Sequence, residues 1–228
     1  EFVWNSTFWF SKNVIAHLDG FAGTGGLKIY SEMAYAGMYL ENFYADKLGT
    51  TSSWASFAIG GMSRNTLFHM TDCLIKYDGT YNNTNNSYIY SNDLVMDNVV
   101  FTGPSVLAKN DQYFQNQHIQ LLPTPKGNAS ANFYGEQKEA PRMLVQNSAF
   151  VDWQSAHLFR FNMKIADASA YMSYSDHAID VTFRNNYFYD VGTCTGSQSD
   201  LLYVDKPTDI NASNNSWKLN FLDNTVIF

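Results

Sequence analysis

One motif recurs along this chain: apolar, any, apolar, any, Asn or Asp, any, any, apolar. It reads Met38-Tyr39-Leu40-Glu41-Asn42-Phe43-Tyr44-Ala45, then Phe68-His69-Met70-Thr71-Asp72-Cys73-Leu74-Ile75. It returns from Leu94 to Phe101 around Asn98, from Met143 to Phe150 around Asn147, and from Val181 to Phe188 around Asn185. The last copy runs from Leu219 to Val226 around Asp223, and a partial copy, Val3, Asn5 and Phe8, opens the chain. The alternating half points two apolar side chains to one face of a strand. An Asn or Asp then sits where the backbone must bend, because its short polar side chain tolerates left-handed dihedrals and bonds nearby backbone groups. A third apolar residue returns inward three positions later. No single copy can bury its own apolar face, so like residues must stack above like.

The bend residues, counted from Asn5, are 37, 30, 26, 49, 38 and 38 residues apart. A bare coil of a stacked solenoid takes roughly 20 to 30 residues. The two shortest intervals are therefore nearly bare coils, and the longer ones carry insertions. The interval of 49 has room for a degenerate extra coil. A β-sandwich with Asn-rich turns is the competing reading. It is disfavoured by the absence of Asn-Gly hairpin signals and by the bulky residue three positions after most bends. The expectation is an all-β fold: a parallel β-helix solenoid of seven or eight coils with loop insertions and uncapped ends.

Copies such as Val181-Thr182-Phe183-Arg184-Asn185-Asn186-Tyr187-Phe188-Tyr189 resemble the right-handed parallel β-helix of the pectate-lyase-like superfamily. The likeness spans most of the chain and is one of fold. The later half also looks like secreted β-helix proteins of Bacteroidetes. The resemblance implies an Asn ladder through Asn42, Asp72, Asn98, Asn147, Asn185 and Asp223, with aromatic side chains stacked inside.

A length of 228 residues suits one domain, here 1–228, with a long insertion at about 104–140 that holds Pro104, Pro123, Pro125 and Gly127. Within it, Ile119-Gln120-Leu121-Leu122 has room for one strand. The glycine loop from Gly20 to Gly26 is no phosphate cradle, since no Lys-Ser or Lys-Thr follows it. Both ends are abrupt, and a solenoid end exposes an apolar cross-section with unpaired backbone. The expectation is a segment of a larger protein or assembly that stacks end to end with another domain or subunit.

The net charge of −7 and the lack of any Lys or Arg cluster argue against nucleic acid as a partner. No apolar run is long enough to span a membrane as a helix. Sequons at Asn5, Asn82, Asn85, Asn128, Asn211 and Asn214 are compatible with an extracellular or cell-surface glycoprotein. Cys73 and Cys194 lie on distant copies, and two free thiols are expected.

Two functions compete. A non-catalytic module for adhesion, glycan contact or scaffolding needs only stacked coils and exposed aromatics. Trp54, Trp153, Trp217, Tyr81 and Tyr113 are candidates to stack on sugar rings. A polysaccharide lyase or glycoside hydrolase acting on an acidic polysaccharide needs a base beside a cation, or two facing carboxylates. Arg160 and Lys164, with Arg184 on a neighbouring coil, are the candidates for the first. Asp176, Asp180, Asp190, Glu136 and Glu139 are the candidates for the second. The signatures associated with polygalacturonases and the clustered Asp of pectate lyases are missing. The histidines show no metal-ligand spacing, so neither metal nor cofactor is expected. The non-catalytic module is the preferred reading.

Overall fold

The computed structural model describes residues 8–17, 27–31, 37–46, 57–61, 67–76, 88–91, 93–103, 118–121, 142–152, 157–162, 179–191, 200–205 and 217–228. Those residues form strands and no helix. In chain order the strands are β1 (Phe8–His17), β2 (Leu27–Ser31), β3 (Gly37–Asp46), β4 (Phe57–Gly61), β5 (Leu67–Lys76), β6 (Tyr88–Ser91), β7 (Asp93–Thr102) and β8 (His118–Leu121). They continue as β9 (Arg142–Gln146), β10 (Ala149–Val151), β11 (His157–Asn162), β12 (Ile179–Arg184), β13 (Tyr187–Tyr189), β14 (Asp200–Asp205), β15 (Trp217–Leu222) and β16 (Thr225–Ile227).

Every pairing is parallel. A ten-stranded sheet takes β1, β3, β5 and β7, then the split pairs β9–β10, β12–β13 and β15–β16. A six-stranded sheet takes β2, β4, β6, β8, β11 and β14. The chain thus alternates between the two sheets, passing through the larger one seven times.

Register follows the motif residue for residue. Leu40 lies beside Met70 and Met70 beside Met96, while Phe101 lies beside Phe150 and Phe150 beside Phe188. Because a one-residue slip would turn every core side chain outward, this apolar phase fixes the pairing. Leu40, Met70, Met96, Val145 and Phe183 form one buried column, and Ala45, Ile75, Phe101, Phe150 and Phe188 form another. Phe101 and Phe150 stack with centroids 5.6 Å apart, and Phe150 and Phe188 at 5.3 Å. Phe159 of β11 meets Phe150 edge-on at 5.2 Å and Phe183 at 4.7 Å, so the two sheets share one core.

At the bends the backbone is left-handed, with φ between 51° and 57° at Asn13, Asn42, Asp72, Asn98, Asn147, Asn185 and Asp223. Strand register sets these residues beside one another. Side-chain amides link them: Asn42 Nδ2 donates to Asn13 Oδ1 at 2.7 Å, Asn98 to Asp72 at 2.6 Å, and Asn185 to Asn147 at 2.8 Å. Asn147 donates instead to Asp97 Oδ1, one residue before Asn98, at 2.8 Å. The donor always belongs to the later copy. An ionised Asp has no proton to donate, which accounts for the missing side-chain links from Asp72 back to Asn42 and from Asp223 back to Asn185.

Two sequence expectations change. The bend beside Asn42 is Asn13, while Asn5 lies outside the described residues. No extra pass occupies the interval between Asn98 and Asn147, because β7 is hydrogen-bonded directly to β9 and β10. Of the insertion, the structure describes β8, which pairs with β6 and β11 in the six-stranded sheet.

The column yields a paired prediction. Asn147→Ala places a Cβ-bearing residue without a polar side chain at positive φ and removes two side-chain hydrogen bonds, for a loss of about 2 kcal/mol; Asn147→Gly relieves the backbone and loses roughly 1 kcal/mol less. Asp72→Asn supplies the missing donor toward Asn42 and gains about 0.5 kcal/mol. Urea unfolding of the three variants measures all of this. Equal losses for Ala and Gly would contradict the left-handed bend as the reason for Asn.

Candidate functional site

The outward positions of the ten-stranded sheet carry the charged and polar side chains, because the alternate positions are buried. Along one outer column Asp93, Arg142, Asp180 and Lys218 follow one another in register. Arg142 grips Asp93 with two bonds, Nε to Oδ1 at 3.1 Å and a terminal nitrogen to Oδ2 at 2.6 Å. Lys218 Nζ lies 3.3 Å from Asp180 Oδ2. The column nearest the bend holds Glu41, Thr71, Asp97, Gln146 and Arg184. Gln146 Nε2 donates to Asp97 Oδ2 at 2.8 Å, and Arg184 donates to Gln146 Oε1 at 2.7 Å. Between these columns Asn220 Nδ2 donates to Thr182 Oγ1 at 3.0 Å. Each pair joins residues on adjacent passes. Exposed pairs of this kind are worth about 0–1 kcal/mol each, with the two-bond Arg142–Asp93 pair at the upper end.

His69 lies on this face, with its ring edge-on to Tyr39 at 5.1 Å. Its Nε2 is buried and has no hydrogen-bond partner. Burial lowers its pKa below the ordinary 6.5; Asp93 opposes that shift and Arg142 adds to it. No group of three His, Cys, Asp or Glu able to hold a metal occurs among the described residues. On the same sheet Tyr187 and Tyr189 are exposed, their rings nearly parallel at 7° with centroids 6.3 Å apart. Arg184 is exposed on the adjoining strand.

Inside the bend a second column changes character along the stack. The residue after each bend is buried and apolar at Phe43, Cys73 and Val99, then polar at Ser148, Asn186 and Asn224. Ser148 Oγ accepts from the Val99 amide at 3.0 Å, Asn186 Oδ1 from the Ser148 amide at 3.0 Å, and Asn224 Oδ1 from the Asn186 amide at 2.9 Å. Asn186 Nδ2 donates to the Val145 carbonyl and Asn224 Nδ2 to the Phe183 carbonyl, so these buried amides are satisfied. Where this polar column begins, the long strands split into two. Cys73 is a free, buried thiol donating to the Thr71 carbonyl at 3.2 Å, and burial raises its pKa to about 11, which suppresses the reactive thiolate.

The sequence candidates are distributed differently from this. Arg160 lies on β11 of the six-stranded sheet and Arg184 on β12 of the ten-stranded sheet. The register sets Gln120 and Tyr203, not Arg184, on either side of Arg160. Leu158 and Phe159, which precede Arg160 on β11, are both fully buried. Asp180 is paired with Lys218, and Asp190 is a second left-handed bend residue at φ 47°, matched by Asp152 at 55°. Trp217 opens β15 beside Ile179. Lys164, Trp54, Trp153, Tyr81, Tyr113, Asp176, Glu136, Glu139, Cys194 and the sequon asparagines Asn5, Asn82, Asn85, Asn128, Asn211 and Asn214 lie outside the described residues.

Sequence reasoning missed Asn13, the Ser148–Asn186–Asn224 column and the Tyr187–Tyr189 pair. The doublets Asn147-Ser148, Asn185-Asn186 and Asp223-Asn224 were the available signal for the second column. The described residues define an all-β protein of parallel sheets. Comparison with protein-family models, with curated proteins and with solved structures gives no match. No helix among the described residues is long and apolar enough to cross a membrane.

His69 gives a pH test. A pKa below the ordinary 6.5 means that the unfolded chain takes up the proton more readily. The contribution is present above that value and is lost as pH falls through it. His69→Phe removes this term, so its stability relative to the parent rises as pH is lowered from about 7 to about 5. Thermal unfolding across that range measures the gap. A constant gap would contradict the half-buried, neutral imidazole.

Proposed function

We propose that the chain is a non-catalytic extracellular scaffold, a right-handed parallel β-helix in which each round trip through the two sheets is one coil. The observation that carries this reading is the pairing of the outer-face side chains with those of the adjacent pass. Asp93 with Arg142, Asp97 with Gln146, Gln146 with Arg184, and Asp180 with Lys218 reinforce stacking. The strict alternation between sheets and the bend column support the coil geometry. The sequons and the acidic, lightly charged composition support a place outside the cell or on its surface.

Glycan contact is a second role on the same scaffold. The parallel, exposed rings of Tyr187 and Tyr189, with Arg184 close by in sequence, favour it. Aromatic faces of this kind stack on sugar rings, and a guanidinium matches a uronate carboxylate. A lyase or hydrolase finds less support, because Arg160 and Arg184 belong to different sheets and Asp180 is held by Lys218.

Incubation with uronate-rich polysaccharides tests the choice. The scaffold reading predicts no release of unsaturated or reducing ends. It also predicts retention on at least one such polysaccharide in affinity electrophoresis, lost in the Tyr187→Ala/Tyr189→Ala double variant. Cleavage abolished by Arg160→Ala or Arg184→Ala would overturn the reading in favour of an enzyme.

A further inference from the structure

His69 departs from the pairing of its outer-face neighbours. Its Nε2 is buried without a hydrogen-bond partner, and its ring stands edge-on to Tyr39. A neutral imidazole tolerates this, because one of its ring nitrogens carries no hydrogen. An imidazolium does not. Both nitrogens then donate, and a buried donor of a charged group left without an acceptor is more costly than a buried lone pair. Proton uptake at His69 therefore requires an acceptor.

Strand register shows which groups can supply one. His69 lies directly beside Tyr39 of β3 and Val95 of β7. Three carboxylates stand one diagonal step away on the same face: Glu41 on β3, and Asp93 and Asp97 on β7. That step is about 8 Å between Cα atoms, from a strand spacing of about 4.8 Å and a rise of about 3.3 Å per residue. On its own strand, Thr71 is uncharged and Asp72 belongs to the bend column, where it accepts from Asn98. Asp97 has both oxygens engaged, by Gln146 and Asn147 of the β9 pass. Asp93 is the carboxylate whose charge acts on the ring, and Arg142 of β9 opposes it. Arg142 holds Asp93 by a short bond of 2.6 Å to Oδ2 and a longer one of 3.1 Å from Nε to Oδ1. The Arg142 side chain is 58% exposed, so water satisfies any donor it gives up, whereas His69 Nε2 is shut off from solvent.

We propose that Asp93 changes partner with pH: Arg142 holds it while His69 is neutral, and it turns one oxygen to His69 Nε2 when the imidazole is protonated. The longer bond, from Arg142 Nε, is the one released. The inference rests on the stacked-scaffold reading, because Asp93 and Arg142 are one of the pairs that join adjacent passes. They tie β7 to β9, the passes on either side of the 49-residue spacing between bends. The exchange makes this tie strong in neutral medium and weaker in acid. Burial lowers the His69 pKa below the ordinary 6.5, so the exchange runs as pH falls below that value and reverses as pH rises.

The test is side-chain NMR of the 228-residue chain, labelled at arginine Nε and in the histidine rings, titrated from about pH 8 to about pH 5. The Arg142 Nε–H signal is expected to move with the same midpoint as the His69 ring. In His69→Phe and in His69→Gln it should hold still over that range. Asp93→Asn should lower the His69 midpoint by about one unit, and Arg142→Gln should raise it. An Arg142 signal that holds still in the parent, or moves equally in both His69 variants, overturns the exchange. A His69 midpoint indifferent to Asp93→Asn does the same. The neutral end of the titration separates the two levels. If Asp93→Asn shifts the Arg142 signal there but acid does not, this inference alone falls. If Asp93→Asn leaves that signal unchanged, the passes are not paired at this point and the scaffold reading falls as well.

Discussion

The structure depends on a left-handed residue at each bend, whose side chain, at Asn42, Asn98, Asn147 and Asn185, holds on to the preceding pass. A bend at φ near 54° is sterically unfavourable for most residues and tolerable for Asn and Asp. Asn adds what Gly cannot: an amide that donates to the pass below while its oxygen accepts from the pass above. Asn147 does both, to Asp97 and from Asn185. The turn and the stacking contact are therefore the same residue. That explains why the motif keeps its shape while the spacing from bend to bend varies from 26 to 49 residues.

Packing follows from this anchor. Once bends are aligned, residues two and four positions before and three after fall into columns, and the columns fill with apolar side chains. Phe101, Phe150 and Phe188 stack face over face, while Phe159 closes against them from the other sheet. Each aromatic contact adds about 0.5–1.5 kcal/mol beyond area burial. Repetition makes stability a sum over neighbours, so the interior can switch from Val99 to Ser148 and on to Asn186 without losing the fold. The switch succeeds because each new polar group is hydrogen-bonded to the adjacent pass.

The ten-stranded sheet was legible in the sequence because two constraints coincide there: period-two apolarity and a residue type limited by φ. The first pass was misplaced because Ser11 and Ala16 stand in register with Leu40 and Ala45, where the motif expects bulk, while Asn5 and Phe8 imitate it. The six-stranded sheet was only faintly legible. Its strands, such as Phe57–Gly61 and His118–Leu121, are short, and no bend residue marks their phase. The outer-face pairs were not legible at all. Arg142 and Asp93 are 49 residues apart, and only strand register shows that they touch. Arg160 and Arg184 stand on different sheets, because the chain crosses from the six-stranded sheet to the ten-stranded sheet between β11 and β12.

Distances along one outer column test the central claim directly. Ile15 and Thr225 are exposed and occupy the same column, six passes apart, with Tyr187 one pass before Thr225. Spin labels at 15 and 225, in a Cys73→Val/Cys194→Ser background, should lie about 29 Å apart, and labels at 15 and 187 about 24 Å apart, from a rise of about 4.8 Å per parallel strand. Pulsed dipolar spectroscopy reads both. Two narrow distributions separated by one strand spacing are the predicted result. Broad distributions, or a pair of distances that does not grow with the number of passes, would contradict the stack.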